Sequence, residues 1–221
     1  MSASIRNAAD TCLDKTGRLS VREDILGVFA ADNPQNRSVL QQMDRIQNMP
    51  FVRVGLVTVS GASPNLQRDL DNGNIVYQGE AGVWIYPTDS ITVTAAHLLT
   101  LDQDDCSGSG HSVSDEEDEL FDFGRNLGAD IVCYYINGDG SGLRGCAAHP
   151  PGRRGFWVGT SASPWTWVHE LTHIVGDNSH VSDTDNLMIN NTGTITNAPP
   201  DLTNSQSDRI NDDPDVESCG G

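Results

Sequence analysis

The stretch "HELTHIVGDNSHVSDTDNLM", His169 to Met188, decides how the rest of the chain is read. His169 and His173 are four residues apart, and on a helix that spacing stacks two imidazoles a turn apart on one face. Two ligands of one tetrahedral ion need that placement. Glu170 follows the first histidine directly. There its carboxylate can reach a water in an open coordination position without filling that position. Zinc lowers the pKa of such a water towards neutrality, and a neighbouring carboxylate can then take the proton.

Local signals put the pair on a helix. Ser163 reads as its N-cap and Pro164 as its first residue. Gly176 is placed to end it in a left-handed turn. HExxH alone is a short pattern that matches by accident. Here it is joined by a capped helix, a glycine at the right offset, a further histidine at 180 and a methionine at 188.

Taken together these residues resemble the metzincins, zinc endopeptidases marked by HExxHxxGxxH and a later Met-turn. The resemblance implies one zinc ion held by His169, His173 and His180, Glu170 as general base, and Met188 in "NLMI" as the Met-turn residue. It implies a zincin-like α/β (α+β) catalytic domain: a mixed twisted sheet, an active-site helix and a Met-turn. It also implies an edge strand just upstream of the helix that binds a peptide or protein substrate in antiparallel fashion. Gly142, Leu143, Arg144, Gly145, Cys146 and Ala147 occupy that place, and "LTNSQSDRI" supplies the helix expected after the Met-turn. The expected reaction is peptide-bond hydrolysis by a zinc-bound water that Glu170 activates.

One position departs from the family pattern. The third ligand should stand three residues after the glycine, where this chain has Ser179, and His180 comes one later. Serine is a poor zinc ligand and neutral imidazole a favoured one. The expectation is therefore a wider turn that still delivers His180, with Asp177 and Asp183 as carboxylate alternatives.

Outward from this site, "FVRVGLVTVSG", "AGVWIYP", "ADIVCYYI", "LRGCAAH" and "GFWVGTS" read as strands, and Leu66 to Gln78 as a helix. The acidic run from Asp115 to Glu119 invites a calcium reading. Ser114 with Glu117 instead fits a capping box, and the alternating ligands of a calcium loop are missing, so Ca²⁺ is unsupported. "NGDGSG" reads as a turn. Residues 50–221 are expected to form the catalytic domain. Residues 1–49 lie outside the resemblance, as a helical extension or pro-segment with helices near Val21 to Ala31 and Ser38 to Met49.

Composition bounds the remaining classes. The chain has 221 residues, 31 acids against 13 bases, and a formal charge of -18. Such a surface repels phosphate backbones, so nucleic acid is not an expected partner. No apolar run is long enough for a membrane span, and a monomer is the default. The first residues show no basic start leading into an apolar stretch, hence no intact secretory signal. Cys12, Cys106, Cys133, Cys146 and Cys219 are widely spaced, which suits disulfides in an exported, extracellular protein better than a zinc ribbon. His97, His111 and His149 are single histidines without a paired ligand spacing.

Two rival readings remain. One is a non-catalytic zinc-stabilised binding module whose site His180 closes. The other takes its third ligand from a later glutamate, for which the sequence offers only Glu217.

Overall fold

A computed structural model describes residues 49–102 and 113–218. The helices expected before residue 49, together with Cys12, Cys106, His111 and Cys219, fall outside the described residues. The chain divides into a unit of Val52–Val216 and a second of Met1–Phe51 with Glu217–Gly221. In the second, Phe51 and Glu217 form an antiparallel bridge.

The larger unit is built on a five-stranded sheet in the order β2-β1-β4-β7-β6. Its strands are β1 (Phe51–Val59), β2 (Trp84–Val93), β4 (Ile131–Ile136), β6 (Gly145–Cys146) and β7 (Gly155–Gly159). β1, β4 and β7 run parallel, and β6 pairs antiparallel to β7 at the edge. Two short strands, β3 (Thr100–Leu101) and β5 (Gly138–Asp139), form a separate parallel pair. Four α-helices are described: α1 (Leu66–Val76), α2 (Asp115–Asp122), α3 (Thr166–Ile174) and α4 (Asn204–Asn211). α1 runs on into a π-helical turn, Tyr77–Ala81.

Side-chain alternation sorts the sheet into two cores. Ile131, Cys133 and Tyr135 of β4 join Val54, Leu56, Phe156 and Val158 on one face, where Trp167, Val168 and Leu171 of α3 pack. Val132, Tyr134 and Ile136 face the other way, towards Leu120 and Phe121 of α2. β4 is buried at all six positions, as expected of a parallel strand covered on both faces. The apolar runs in the sequence report this central position, whereas a half-solvated strand would alternate with polar residues.

Trp167 lies fully inside, edge-on to Phe156 at 5.5 Å between ring centres. Truncating such a buried aromatic costs roughly 3–5 kcal/mol, so α3 is anchored by its apolar face and leaves its other face for chemistry. The sheet, the helix order and the late α4 agree with the mixed α/β architecture expected from sequence. No helix among the described residues is long and apolar enough to cross a membrane.

Candidate metal centre

α3 is amphipathic in a simple sense. Trp167, Val168, Leu171 and Ile174 enter the core, and the four-residue spacing turns His169 and His173 to the opposite side. The helix starts later than the sequence suggests. Its cap is Trp165, not Ser163, and Pro164 precedes the helix. The Ser163 hydroxyl still accepts from the Trp165 amide at 3.3 Å, but it also bonds Thr192 at 2.7 Å. That second bond draws it towards the 192–194 turn instead of the deeper amides it would otherwise cap.

At the other end Val175 is extended and Gly176 takes φ 83°. A side chain on Gly176 would stand 2.7 Å from the backbone of Arg209, so glycine is required for space as well as conformation. Its amide donates to Asp213 Oδ2 at 2.8 Å. Arg154 binds Asp213 at 2.9 Å and also reaches the Ile174 carbonyl. Asp177 follows with φ 46°. Two successive left-handed residues thus shape the turn between α3 and His180.

That turn brings His180 home. His169 Nε2 lies 3.1 Å from His173 Nε2 and 3.2 Å from His180 Nε2, and the last two are 3.0 Å apart. The second nitrogen of two rings is spoken for. His169 Nδ1 donates to the Leu187 carbonyl at 2.8 Å, and His173 Nδ1 to the Asn178 carbonyl at 2.6 Å. A carbonyl can only accept, so the proton of each neutral ring sits on Nδ1 and Nε2 presents a bare lone pair. Lone pairs facing one another at these distances repel unless a cation lies among them. Tetrahedral ligands about 2.05 Å from zinc would stand about 3.3 Å apart, close to the spacing found. The donor set fits zinc.

These three histidines form the one group among the described residues with metal-ligand convergence. Ser179, Asp177, Asp183 and Glu217 are not in it. His97 instead pairs with Glu119 at 2.9 Å on the surface, and His149 Nδ1 lies 3.1 Å from the Pro150 carbonyl. Burial disfavours charge on the three rings. It holds His169 down to about 3 and His173 to about 4, with the neighbouring histidines adding to the shift, and lowers His180 as well. All are thus neutral and able to ligate at ordinary pH.

Glu170 is buried beside them, and desolvation raises its carboxyl to about 8. The sheet edge lies against it. A side chain on Gly145 would come within 2.7 Å of Glu170 Oε1, so the bare backbone of β6 lies against the carboxyl group. The sequence-derived edge segment is mostly irregular, since only Gly145 and Cys146 of Gly142–Ala147 are strand. Cys146 is disulfide-bonded, whereas Cys133 is a buried free thiol.

Met188 is fully buried in the core that holds Val168 and Leu171. Its carbonyl accepts from Val181, next to His180, at 2.9 Å. Its amide donates to Asn186 Oδ1 at 2.9 Å. Asn186 and Gln206 of α4 exchange amide hydrogen bonds at 2.9 and 3.2 Å, both buried. The 186–189 turn therefore supports two histidines: His169 through the Leu187 carbonyl and His180 through Val181. Sequence reasoning missed Asn186, Gln206, Asp213 and Arg154, whose residue types carry no motif.

No family model matches the chain, and no curated protein matches it. Solved structures do. Metalloproteinase-II from Bacteroides fragilis is similar over 74% of this chain and 52% of its own, at 18% identity and TM-score 0.51. A chain from a chaperone–substrate complex is similar over 74% of this chain and 38% of its own, at 14% identity and TM-score 0.50. Archaemetzincin from Methanopyrus kandleri covers 73% of this chain and 94% of its own, at 18% identity and TM-score 0.45. The chain spans about half the length of the Bacteroides metalloproteinase. At this identity the likeness shows the fold: a mixed α/β, zincin-like architecture.

Proposed function

We propose that this chain is a zinc-dependent endopeptidase of the metzincin type, acting on extended stretches of peptide or protein. The observation that carries the reading is the convergence of three imidazole Nε2 atoms within 3.2 Å of one another, on and after the helix that also bears Glu170. His169, His173 and His180 are the ligands. They would hold a zinc ion, which would supply Lewis-acid polarisation of the scissile carbonyl and a lowered pKa for the attacking water.

Glu170, as its carboxylate, would take the proton of that water and pass it to the leaving amine; the charge of a bound zinc ion would favour this ionised form over the neutral one that burial favours in the metal-free protein. Met188 is the Met-turn residue, and the turn around it fixes the rings of His169 and His180. Gly142, Leu143, Arg144, Gly145, Cys146 and Ala147 are the segment that carries the substrate-binding edge, where a peptide would add as an antiparallel strand on the outward-facing Gly145 backbone. Three protein ligands leave a coordination position open, whereas structural zinc sites fill all four, which favours catalysis over a zinc-stabilised binding module. The disulfide at Cys146 favours an exported protein working in an oxidising setting.

The test is digestion of a generic unfolded protein by the full chain, with and without a chelator. Cleavage that stops with chelator and returns with added zinc is expected. Stoichiometric zinc binding with no cleavage would establish the binding module instead.

A further inference from the structure

A buried carboxylate sits upstream of the sheet edge, in a place the reaction itself does not use. Asp139 ends β5, and the residue is 7% exposed. Its Oδ1 accepts three backbone amides in succession: Ser141 at 3.1 Å, Gly142 at 2.8 Å and Leu143 at 2.7 Å. Its Oδ2 accepts the Ser141 hydroxyl at 2.5 Å. Gly142, at φ 95°, lets the chain curl around that carboxylate.

The pairing of β6 with β7 gives these bonds a consequence. Gly145 lies opposite Val158 and Cys146 opposite Trp157, and the Gly159 amide donates to the Arg144 carbonyl at 2.9 Å. In an antiparallel ladder, bonded and non-bonded pairs alternate. Arg144 and Cys146 therefore turn their polar backbone towards β7, while Gly145 turns its N–H and C=O outward. By the same alternation Leu143 would offer the next outward N–H, but Asp139 already holds it. The outward edge thus starts at Gly145, directly against Glu170.

We infer that Asp139 is a positioning residue that ends the substrate-binding edge at Leu143 and so registers an extended peptide on the Gly145 backbone beside Glu170. The inference rests on the endopeptidase reading above. The carboxylate touches neither substrate nor ion. It acts by occupying the Leu143 amide and by holding the 141–143 curl, so that a peptide cannot slide one pair further along the edge. A slip by one residue in a period-two ladder would present the wrong face of the peptide.

The experiment compares wild type, D139A, D139N and D139E as zinc-loaded full chains on internally quenched peptides of increasing length. Asn keeps the Oδ1 acceptor for all three amides. Glu keeps the charge but moves the acceptor by one carbon. Losing bonds to a charged acceptor, at roughly tenfold per 1.4 kcal/mol, should raise KM about tenfold in D139A on the longer peptides, with kcat within about twofold. D139E should share that rise, and D139N should return to near wild type. Cleavage should also spread to neighbouring bonds in D139A.

An unchanged KM in D139A, a loss confined to kcat, or a D139N as impaired as D139A would overturn the inference. If D139A does not fold, D139E against D139N decides it by the same criteria. Wild type that cleaves none of the peptides would sink the endopeptidase reading itself. The Asp139 inference would then be decided by peptide dissociation constants, expected to weaken about tenfold in D139A and D139E but not in D139N.

Discussion

Two clusters of ionisable side chains in this protein look alike in the sequence and differ in kind in space. In the acidic run at the start of α2 each of three carboxylates finds a donor: Glu117 inside the fold, Asp118 and Glu119 at the surface. Glu117 accepts from the Ser114 amide at 3.0 Å and from the Trp157 indole at 2.9 Å, Asp118 meets Arg153, and Glu119 meets His97. Every one of those bonds completes the helix end or ties it to a neighbouring strand, turn or loop. The histidines around α3 do the reverse. Two of their rings tie Nδ1 to a carbonyl, and all three aim Nε2 at one another. A cluster that satisfies itself is architecture, and one that leaves like atoms converging is made for something else.

The comparison can be broken most severely at Glu170. The Glu170→Gln protein should keep its zinc and lose roughly a thousandfold in kcat, the scale of a positioned proton acceptor. Full activity in that variant would remove the assigned base. Next in size is the support beneath the ligands. Removing the amide of Gln206 by Gln206→Ala frees the 186–189 turn, and zinc affinity should fall by roughly ten- to a hundredfold, as for other residues that orient ligands. Competition with a chromogenic chelator measures this, and an unchanged affinity would show that the amide pair does not orient the site.

Proton linkage gives a subtler contrast. In the metal-free protein the lowered pKa values of His169 and His173, about 3 and about 4 against an ordinary 6.5, mean that the unfolded chain binds more protons across that window. Stability from these two groups is therefore lost as pH falls from 6.5. Glu170 runs the other way. Its carboxyl is raised from 4.5 to about 8, so its contribution is fully present below 4.5 and is lost as pH rises through 8. Two groups outweigh one between 4.5 and 6.5, and urea midpoints in chelator should peak near pH 6.5. A midpoint that climbs steadily from pH 6.5 to 8 would contradict this. The smallest effect belongs to the acidic cluster: Ser114→Ala should cost about 1 kcal/mol of stability, the usual value of a cap, and leave zinc content untouched.

Much of this was legible in the residues themselves. The capping box at Ser114 and Glu117, the buried strand "IVCYYI", the left-handed Gly176 and the convergence of His169 with His173 follow from local spacing. His180 was legible as the favoured third candidate ahead of Asp177 and Asp183, and the structure brings it to the other two imidazoles. The turn that delivers it was not, since a left-handed Asp177 has no signature in the letters. The start of α3 was misplaced because Ser163 shares its hydroxyl with Thr192, twenty-nine residues on. The Asn186–Gln206 exchange joins two ordinary amides twenty residues apart. Such contacts are made by the fold, and no local pattern announces them.

If three imidazoles hold one ion, the metal content of the protein will report it. Elemental analysis of the purified protein after dialysis should find one zinc per chain in wild type and in Ser179→Ala, and close to none in His180→Ala. A wild type that takes up no zinc, or a His180→Ala protein that keeps its full share, would contradict the account.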